Sequence, residues 1–478
     1  YMGQPNILLL LTDQQRYDTL SCNGAEICQT PAADELSGNG VRFTHAYTPI
    51  SLCSPARASL LTGLYAHNHG QLANMGNFNG VFANQVLSQT AYPKLLAEVG
   101  YQTSCIGKWH LAREGDTEQW GFDNWRPFGN WNRMLQSEGF DYNIARDEVQ
   151  RIEWSGTAPF YRRSKLPAEK MMEAWVADQA IDLISASAGS NQPFMIAANF
   201  FGPHFPYAVP SPYDTLYDSD SVARWDNFDD QFVNKPSIQQ KEMLRWNASH
   251  LTWDDWQKVI AAYWGFCTYI DDQIGRILDC LKKTGQWNNT VIIFSSDHGD
   301  MLGSHRLFNK GFHMYDETHH IPLIISHADK TQEASICDRF VSLVDLMPTF
   351  LDLASVEVPD HLDGQSLCSF LTGQEVADWR NDIFAEFHGY ESTLASVRMV
   401  RTKSWKYIYN PSSEDELYDM VSDSAELYNL ADQLGYKHVL RRMKERMVNW
   451  MRQTNDSIVD EEGWKNNPYD LYVSGREL

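Results

Sequence analysis

Three uninterrupted apolar runs, each ending in a knot of polar residues, constrain the fold of this chain more than any other feature. Asn6-Ile7-Leu8-Leu9-Leu10-Leu11 leads into Thr12-Asp13-Gln14-Gln15-Arg16. Phe194-Met195-Ile196-Ala197-Ala198-Asn199-Phe200 leads into Gly202-Pro203-His204, and Val291-Ile292-Ile293-Phe294 into Ser295-Ser296-Asp297-His298. Runs this short without polar alternation read as strands buried on both faces, the condition of a parallel sheet covered by helices. Open α/β sheets place ligands beyond the carboxyl ends of their strands, where all three polar knots fall. The pattern predicts an α/β fold with a large central, mostly parallel sheet flanked by helices.

Helical and extended patterns fill the intervals. Thr30-Pro31 starts a helix that Gly38-Asn39-Gly40 stops, and Val41–Tyr47 alternates like a strand. Tyr92–Val99 reads as a helix closed by Gly100, with a strand at Gln102–Ile106. Helical spacing returns at Ala174–Ala186 and in a long helix over Trp253–Leu281, whose Asp271 and Asp272 read as a solvated face. Residues 113–175 and 211–250 carry little periodicity and are expected to be loops over the sheet. Beyond Arg380, alternation at Val397–Arg401 and Trp405–Tyr409 and a closing helix at His438–Arg452 predict a smaller α+β subdomain with an antiparallel sheet. The expected division is a catalytic domain over 1–375 and a C-terminal subdomain over 376–478.

The formal net charge of −23, with no basic run or stripe, argues against nucleic acid as a partner. No stretch of about eighteen apolar residues is present to span a membrane. The eight cysteines are scattered without Cys-x-x-Cys spacing, so no disulfide framework is indicated. Met2-Gly3-Gln4-Pro5 enters the first strand at once with no leader-like pattern, which favours a soluble cytoplasmic protein over a periplasmic or secreted one whose leader has been removed. Oligomeric state is not legible.

Cys53-Ser54-Pro55-Ala56-Arg57 opens a helix that Gly63 ends. Cys53 would face the unpaired N–H groups and positive dipole end of that helix, with Arg57 one turn on: a place suited to an anion. Lys108 and His110, two apart on an extended segment, would reach one pocket together. His204, between two prolines, is expected to be a positioned acid or base. Asp13 alone could cap the next segment; together with Asp297 and His298 it favours a metal, because converging carboxylates need a cation between them. Oxygen ligation by Asp13, Gln14 and Asp297 favours calcium before magnesium, while the histidine would also suit a softer ion.

The string Cys53-x-Pro55-x-Arg57 followed by Ala58-Ser59-Leu60-Leu61-Thr62-Gly63 resembles the signature of the type I sulfatases, members of the alkaline-phosphatase-like superfamily. Gly107-Lys108-Trp109-His110-Leu111, the His204-x-Pro206 element, Ser296-Asp297-His298-Gly299 and Lys310-Gly311 match the same family in the same order. Ala112 stands where glycine is commoner, and His320 where arginine is expected. The resemblance implies that Cys53 is oxidised by a maturation enzyme to formylglycine, whose hydrated aldehyde attacks sulfur. It implies calcium held by Asp13, Gln14, Cys53, Asp297 and His298, sulfate clamped by Lys108 and Lys310, and leaving-group protonation by His204. Arg57 would stabilise the nucleophile and His110 act as base in sulfate release. The expected activity is hydrolysis of a sulfate monoester, with a sulfated saccharide favoured over a simple aryl sulfate. Arg16, Asn74, Trp109, His305, Arg306 and His313 flank the motifs as candidate substrate contacts. Phosphonate monoester hydrolases share Asp13-Gln14 but would carry Tyr and Thr at positions 108 and 110, which makes them the alternative. A non-catalytic sulfated-glycan binder is the third reading.

Overall fold

In the computed structural model, which describes residues 4–75, 90–111, 117–140, 161–328, 331, 334–374, 376–390, 393–411 and 413–460, the three apolar runs are neighbouring strands. β1 (Asn6–Asp13) lies between β6 (Phe194–Pro203) and β8 (Thr290–Ser296) and is parallel to both, with Ile7 opposite Met195 on one side and Val291 on the other. Beyond β6 the sheet continues in parallel with β3 (Gln102–Gly107) and β4 (Asn124–Pro127). Beyond β8 come β9 (Leu323–Ser326), antiparallel to both neighbours, then β2 (Gly40–Tyr47) and its parallel partner β10 (Ser335–Ser342). The result is an eight-stranded, mostly parallel sheet.

All eight residues of β1 are buried, and successive side chains enter different cores. Ile7, Leu9 and Leu11 pack with Leu60, Leu61 and Met347; Leu8 and Leu10 pack with Ile260, Ile270 and Ile274 of the long helix Trp253–Lys283. Each fully buried leucine or isoleucine contributes about 1.5–3 kcal/mol, so a strand with no polar side chain between Ile7 and Leu11 is stable only at the centre of such a sandwich.

The long helix departs from expectation at one point. Asp271 is buried, not solvated, and accepts hydrogen bonds from the backbone N–H groups of Ala32 (2.7 Å) and Ala33 (3.0 Å), capping the first turn of the helix Pro31–Gly38. Asp272 accepts from the Tyr213 hydroxyl at 2.5 Å. The helix is packed by the sheet and by neighbouring helices around most of its circumference, so these carboxylates meet protein donors in place of water. Burial pushes the Asp271 carboxyl up to about 7.

Between Tyr161 and Trp246 the chain is less irregular than its sequence predicts: β5 (Tyr161–Arg163) pairs with β7 (Tyr207–Val209), and Ser237–Arg245 is helical. The C-terminal part forms a separate antiparallel sheet, β11 (Asp382–Tyr390), β12 (Thr393–Thr402), β13 (Trp405–Tyr409) and β14 (Glu416–Asp419) in that order. The helix Lys437–Gln453 lays Val439, Met443 and Met447 against Val400 and Tyr407 of this sheet. Among the described residues no helix is long and apolar enough to cross a membrane.

Candidate active site

The carboxyl ends of β1, β2, β3, β6 and β8 surround the start of the helix Cys53–Thr62. Its N-cap, Leu52, is extended, Pro55 occupies the first turn, and Gly63 closes it in the left-handed conformation, donating to the Ser59 carbonyl at 2.9 Å. All ten helical residues are buried. The Cys53 Sγ lies 3.1 Å from Lys310 Nζ, 3.3 Å from His298 Nε2, 3.6 Å from Lys108 Nζ and 3.7 Å from Asp13 Oδ1. Burial opposes ionisation of the thiol, but Lys108, Lys310 and His298 together outweigh it and hold Cys53 well below the usual thiol range.

Arg57, one turn along, ties two strand ends together: its Nη2 donates to Asp13 Oδ2 (2.9 Å) and its Nε to Asp297 Oδ2 (3.0 Å). Lys108 Nζ reaches the same Asp13 oxygen at 2.6 Å. Burial and Cys53 push the Asp13 carboxyl upward, yet Lys108, His204 and Arg57 bring it far below the carboxylate range. Asp297 goes the other way, up to about 6, because of burial and the neighbouring charge of Asp13.

That opposition between two adjacent buried carboxylates is what a cation would relieve. The ligating atoms of Asp13, Cys53, Asp297 and His298 lie within 4.8 Å of one another, and all four residues are buried. His298 Nδ1 sits 2.9 Å from the Gly299 carbonyl, which orients Nε2 toward the centre of the group. This donor set fits a metal ion. Gln14, expected as a ligand, stands beside this group: its Oε1 accepts from Lys310 Nζ (2.8 Å), which also reaches Cys53, and its Nε2 donates to Asp300 Oδ2 (2.5 Å). Its backbone is left-handed, φ 66°, and its N–H donates to Asp297 Oδ1 at 3.1 Å.

His204 follows β6, its Nδ1 against the Phe205 carbonyl and its Nε2 2.9 Å from Lys310 Nζ. Burial, Lys310 and Lys108 lower it to about 4. His110 reaches Cys53 by a route that differs from expectation. The strand stops at Gly107, and His110 is left-handed (φ 59°), so the segment turns where an extended one was predicted. The His110 ring still faces Cys53 closely enough to feel its charge, burial lowers its pKa, and its Nδ1 is buried without a partner among the described residues.

The flanking residues divide. Asn74 supports the nucleophile helix, accepting from the Ser54 N–H at 2.9 Å. Arg16 pairs with Asp18 and donates to the Asp300 and Met301 carbonyls, binding two strand ends to each other. Trp109 packs in the core against Trp120 and Phe122. His305 is buried, bonded to Asp230 and stacked on Tyr315, while Arg306 donates to the Ser249 carbonyl. His313 is buried with both ring nitrogens unpartnered among the described residues. Among the described residues, the hydrogen bonds of the Cys53 side chain involve none of Trp109, His305, Arg306 and His313. His320 packs between Tyr17 (3.8 Å) and Tyr47 (5.0 Å), so stacking stands where an arginine ion pair was expected. Ala112 lies outside the described residues.

Asn199, Tyr207 and Asp300 join the site without having been singled out. Asn199 Oδ1 accepts from Arg57, and Asp300 bonds both Gln14 and the Tyr207 hydroxyl. The signal available was position for Asp300 and Tyr207, which come shortly after β8 and β6, and polarity for Asn199, a lone amide inside the buried strand β6.

The sulfatase family model matches residues 5–356. The chain belongs to the sulfatase family. It is accordingly an enzyme, a sulfuric ester hydrolase with the alkaline-phosphatase-like fold. A second match, to the C-terminal region of N-sulphoglucosamine sulphohydrolase, covers residues 303–453. This sulfatase is 28% identical over 521 residues to N-acetylglucosamine-6-O-sulfatase of Bacteroides thetaiotaomicron, covering 96% of this chain and 88% of that one. It is similar to the solved structure of BT4656 in complex with its substrate D-glucosamine-2-N,6-O-disulfate (25% identity, TM-score 0.77, 96% and 100% covered). It also resembles the phosphonate monoester hydrolase SpPMH of Silicibacter pomeroyi (25% identity, TM-score 0.82, 95% and 97% covered).

Proposed function

We propose that this sulfatase removes sulfate from a sulfated saccharide, using Cys53 as the precursor of its nucleophile. The observation that carries this reading is the convergence of Lys108, Lys310, His298 and Asp13 within 3.7 Å of a thiol at a buried helix start. Formylglycine made from Cys53 by a maturation enzyme would supply an oxygen nucleophile, and a calcium ion held by Asp13, Gln14, Asp297 and His298 would supply positive charge against the sulfate oxygens. Lys108 and Lys310 bind and orient the remaining sulfate oxygens, exchanging contacts they now make with Asp13 and Gln14. Arg57 keeps both strand-end carboxylates in place. His204 accepts a hydrogen bond from Lys310 at Nε2; negative charge arriving beside the pair raises its affinity for a proton, which it passes to the departing alcohol. His110, whose pKa is lowered by burial, takes up the proton released when sulfate leaves. The saccharide assignment is supported by the names of the B. thetaiotaomicron relative and of the BT4656 complex. The catalytic unit is taken as residues 1–375, with 376–478 as a subdomain packed beside it.

Gln14 favours one second reading, a phosphonate monoester hydrolase: a neutral amide beside the metal group leaves the site more positive than a third carboxylate would. Hydrolysis of an aryl sulfate and an aryl phosphonate monoester by the same preparation decides between them. The sulfatase reading expects the higher kcat/KM on the sulfate; a preference for the phosphonate overturns it.

A further inference from the structure

Outside the residues around Cys53 the chain carries a second cluster of cationic side chains. Between β10, the β12–β13 turn and the helix Lys437–Gln453 is a cleft of about 660 Å³, a size that suits a ligand. Its cationic lining is Arg339, Arg380, Lys403, Arg442 and Arg446, against a single lining carboxylate, Asp338. This local sign opposes that of the whole chain, in which 62 acidic residues outnumber 39 basic ones. Three cations are partly neutralised: Lys403 by Asp338 (2.5 Å), Arg446 by Asp382 (2.5 Å) and Arg380 by Asp345 (2.6 Å). Arg339 and Arg442 make no ion pair with any described residue, and Arg442 is exposed on the helix one turn before Arg446.

We propose that this cleft is an accessory binding surface for a sulfated glycan chain whose terminal or internal sulfate is processed at Cys53. The proposal rests on the saccharide reading of the substrate. Guanidinium groups present planar pairs of donors that match sulfate oxygens, and the half-buried Trp405 lines the same wall. A long nucleic acid, with uniform charge along its length, would meet the acidic remainder of the surface on either side of so short a basic cleft. The cleft is walled in part by β10, the neighbour of β2, and Cys53 follows β2 in the chain.

Size-fractionated dextran sulfate is a suitable probe, titrated into the full chain at low and moderate salt, with neutral dextran and a DNA duplex as comparisons. Arg339→Ala/Arg442→Ala is expected to weaken dextran sulfate binding about tenfold or more at low salt and to flatten its salt dependence. Arg339→Lys/Arg442→Lys, which keeps the charge and loses the planar donor pairs, is expected to bind between the wild type and the alanine variant. Unchanged affinity in the alanine variant overturns the proposal, and DNA bound as tightly as dextran sulfate overturns the glycan assignment. Turnover of a small aryl sulfate is measured on the same samples. It is expected to be equal in wild type and variant; its absence from the wild type would count against the sulfatase reading, separately from the binding result.

Discussion

Lys310 Nζ lies 3.1 Å from Cys53 Sγ although 257 residues separate them in the chain. The contact exists because Cys53 follows β2 and Lys310 follows β8, and both strands release their chains on the same edge of one sheet. A buried ammonium is stable here only as part of a larger charge cluster: the Cys53 thiolate first, then Asp13 and Asp297, overcome burial and raise Lys310 above its ordinary value.

Replacing the nucleophile precursor is the most direct test of the chemistry. Cys53→Ala is expected to lower kcat at least about 10⁴-fold on an aryl sulfate while the circular dichroism spectrum and Tm stay near wild type. Cys53→Ser should behave alike, and intact mass should show loss of the thiol in active wild type. Substantial turnover by either variant would sink the formylglycine mechanism.

Chelation tests the metal group. Removal of divalent ions is expected to abolish turnover and lower Tm, because Arg57 and Lys108 are then the cations left to offset the charges of Asp13 and Asp297; added calcium should restore both. Arg57→Met should cost about 3–5 kcal/mol by leaving buried carboxylates short of a partner, with calcium recovering part of the loss. Indifference of both Tm and rate to chelator would exclude a resident ion.

Gly107 sits at φ 81°, and a Cβ added there would come 2.1 Å from the Asn199 carbonyl oxygen. Lys108 follows directly and donates its N–H to that same oxygen at 3.1 Å. Gly107→Ala is therefore expected to destabilise the fold by about 1–3 kcal/mol and to lower kcat by displacing Lys108. Wild-type values of both in the variant would contradict the observed close approach.

Asp271 gives a pH prediction away from the site. Burial raises its carboxyl from 3.8 to about 7 in the folded chain, so the folded state binds a proton that the unfolded state has already lost. Its contribution is fully present below about pH 4 and disappears as pH rises through about 7, amounting to at most about 4 kcal/mol. In Asp271→Asn the fall in Tm from pH 4 to pH 7.5 should be smaller than in wild type. An identical slope would show that the two N–H groups of Ala32 and Ala33 hold Asp271 ionised throughout.

The buried strands were legible because β1 and β8 need apolar side chains on both faces, and the polar knot after each was legible because such strands can end only at solvent or at a site. Asp271 was misread because a carboxylate on a helix has the same spacing whether water or a neighbouring helix start faces it. Trp109, His305 and His313 lie close in sequence to Lys108 and Lys310, yet their side chains turn into packed or buried surroundings.

Sequence alone determined the parallel α/β sheet, the helix beginning at Cys53 and the family motifs, since these depend on local periodicity, capping and short strings of residues. Only the tertiary structure decided that Arg57 bridges Asp13 to Asp297, that Gln14 turns to Asp300 and Lys310, and that Arg339 and Arg442 share a cleft. Those relationships depend on which strand ends become neighbours, and strand order is fixed by burial of the whole sheet between two helical layers, a cooperative property that no single segment encodes.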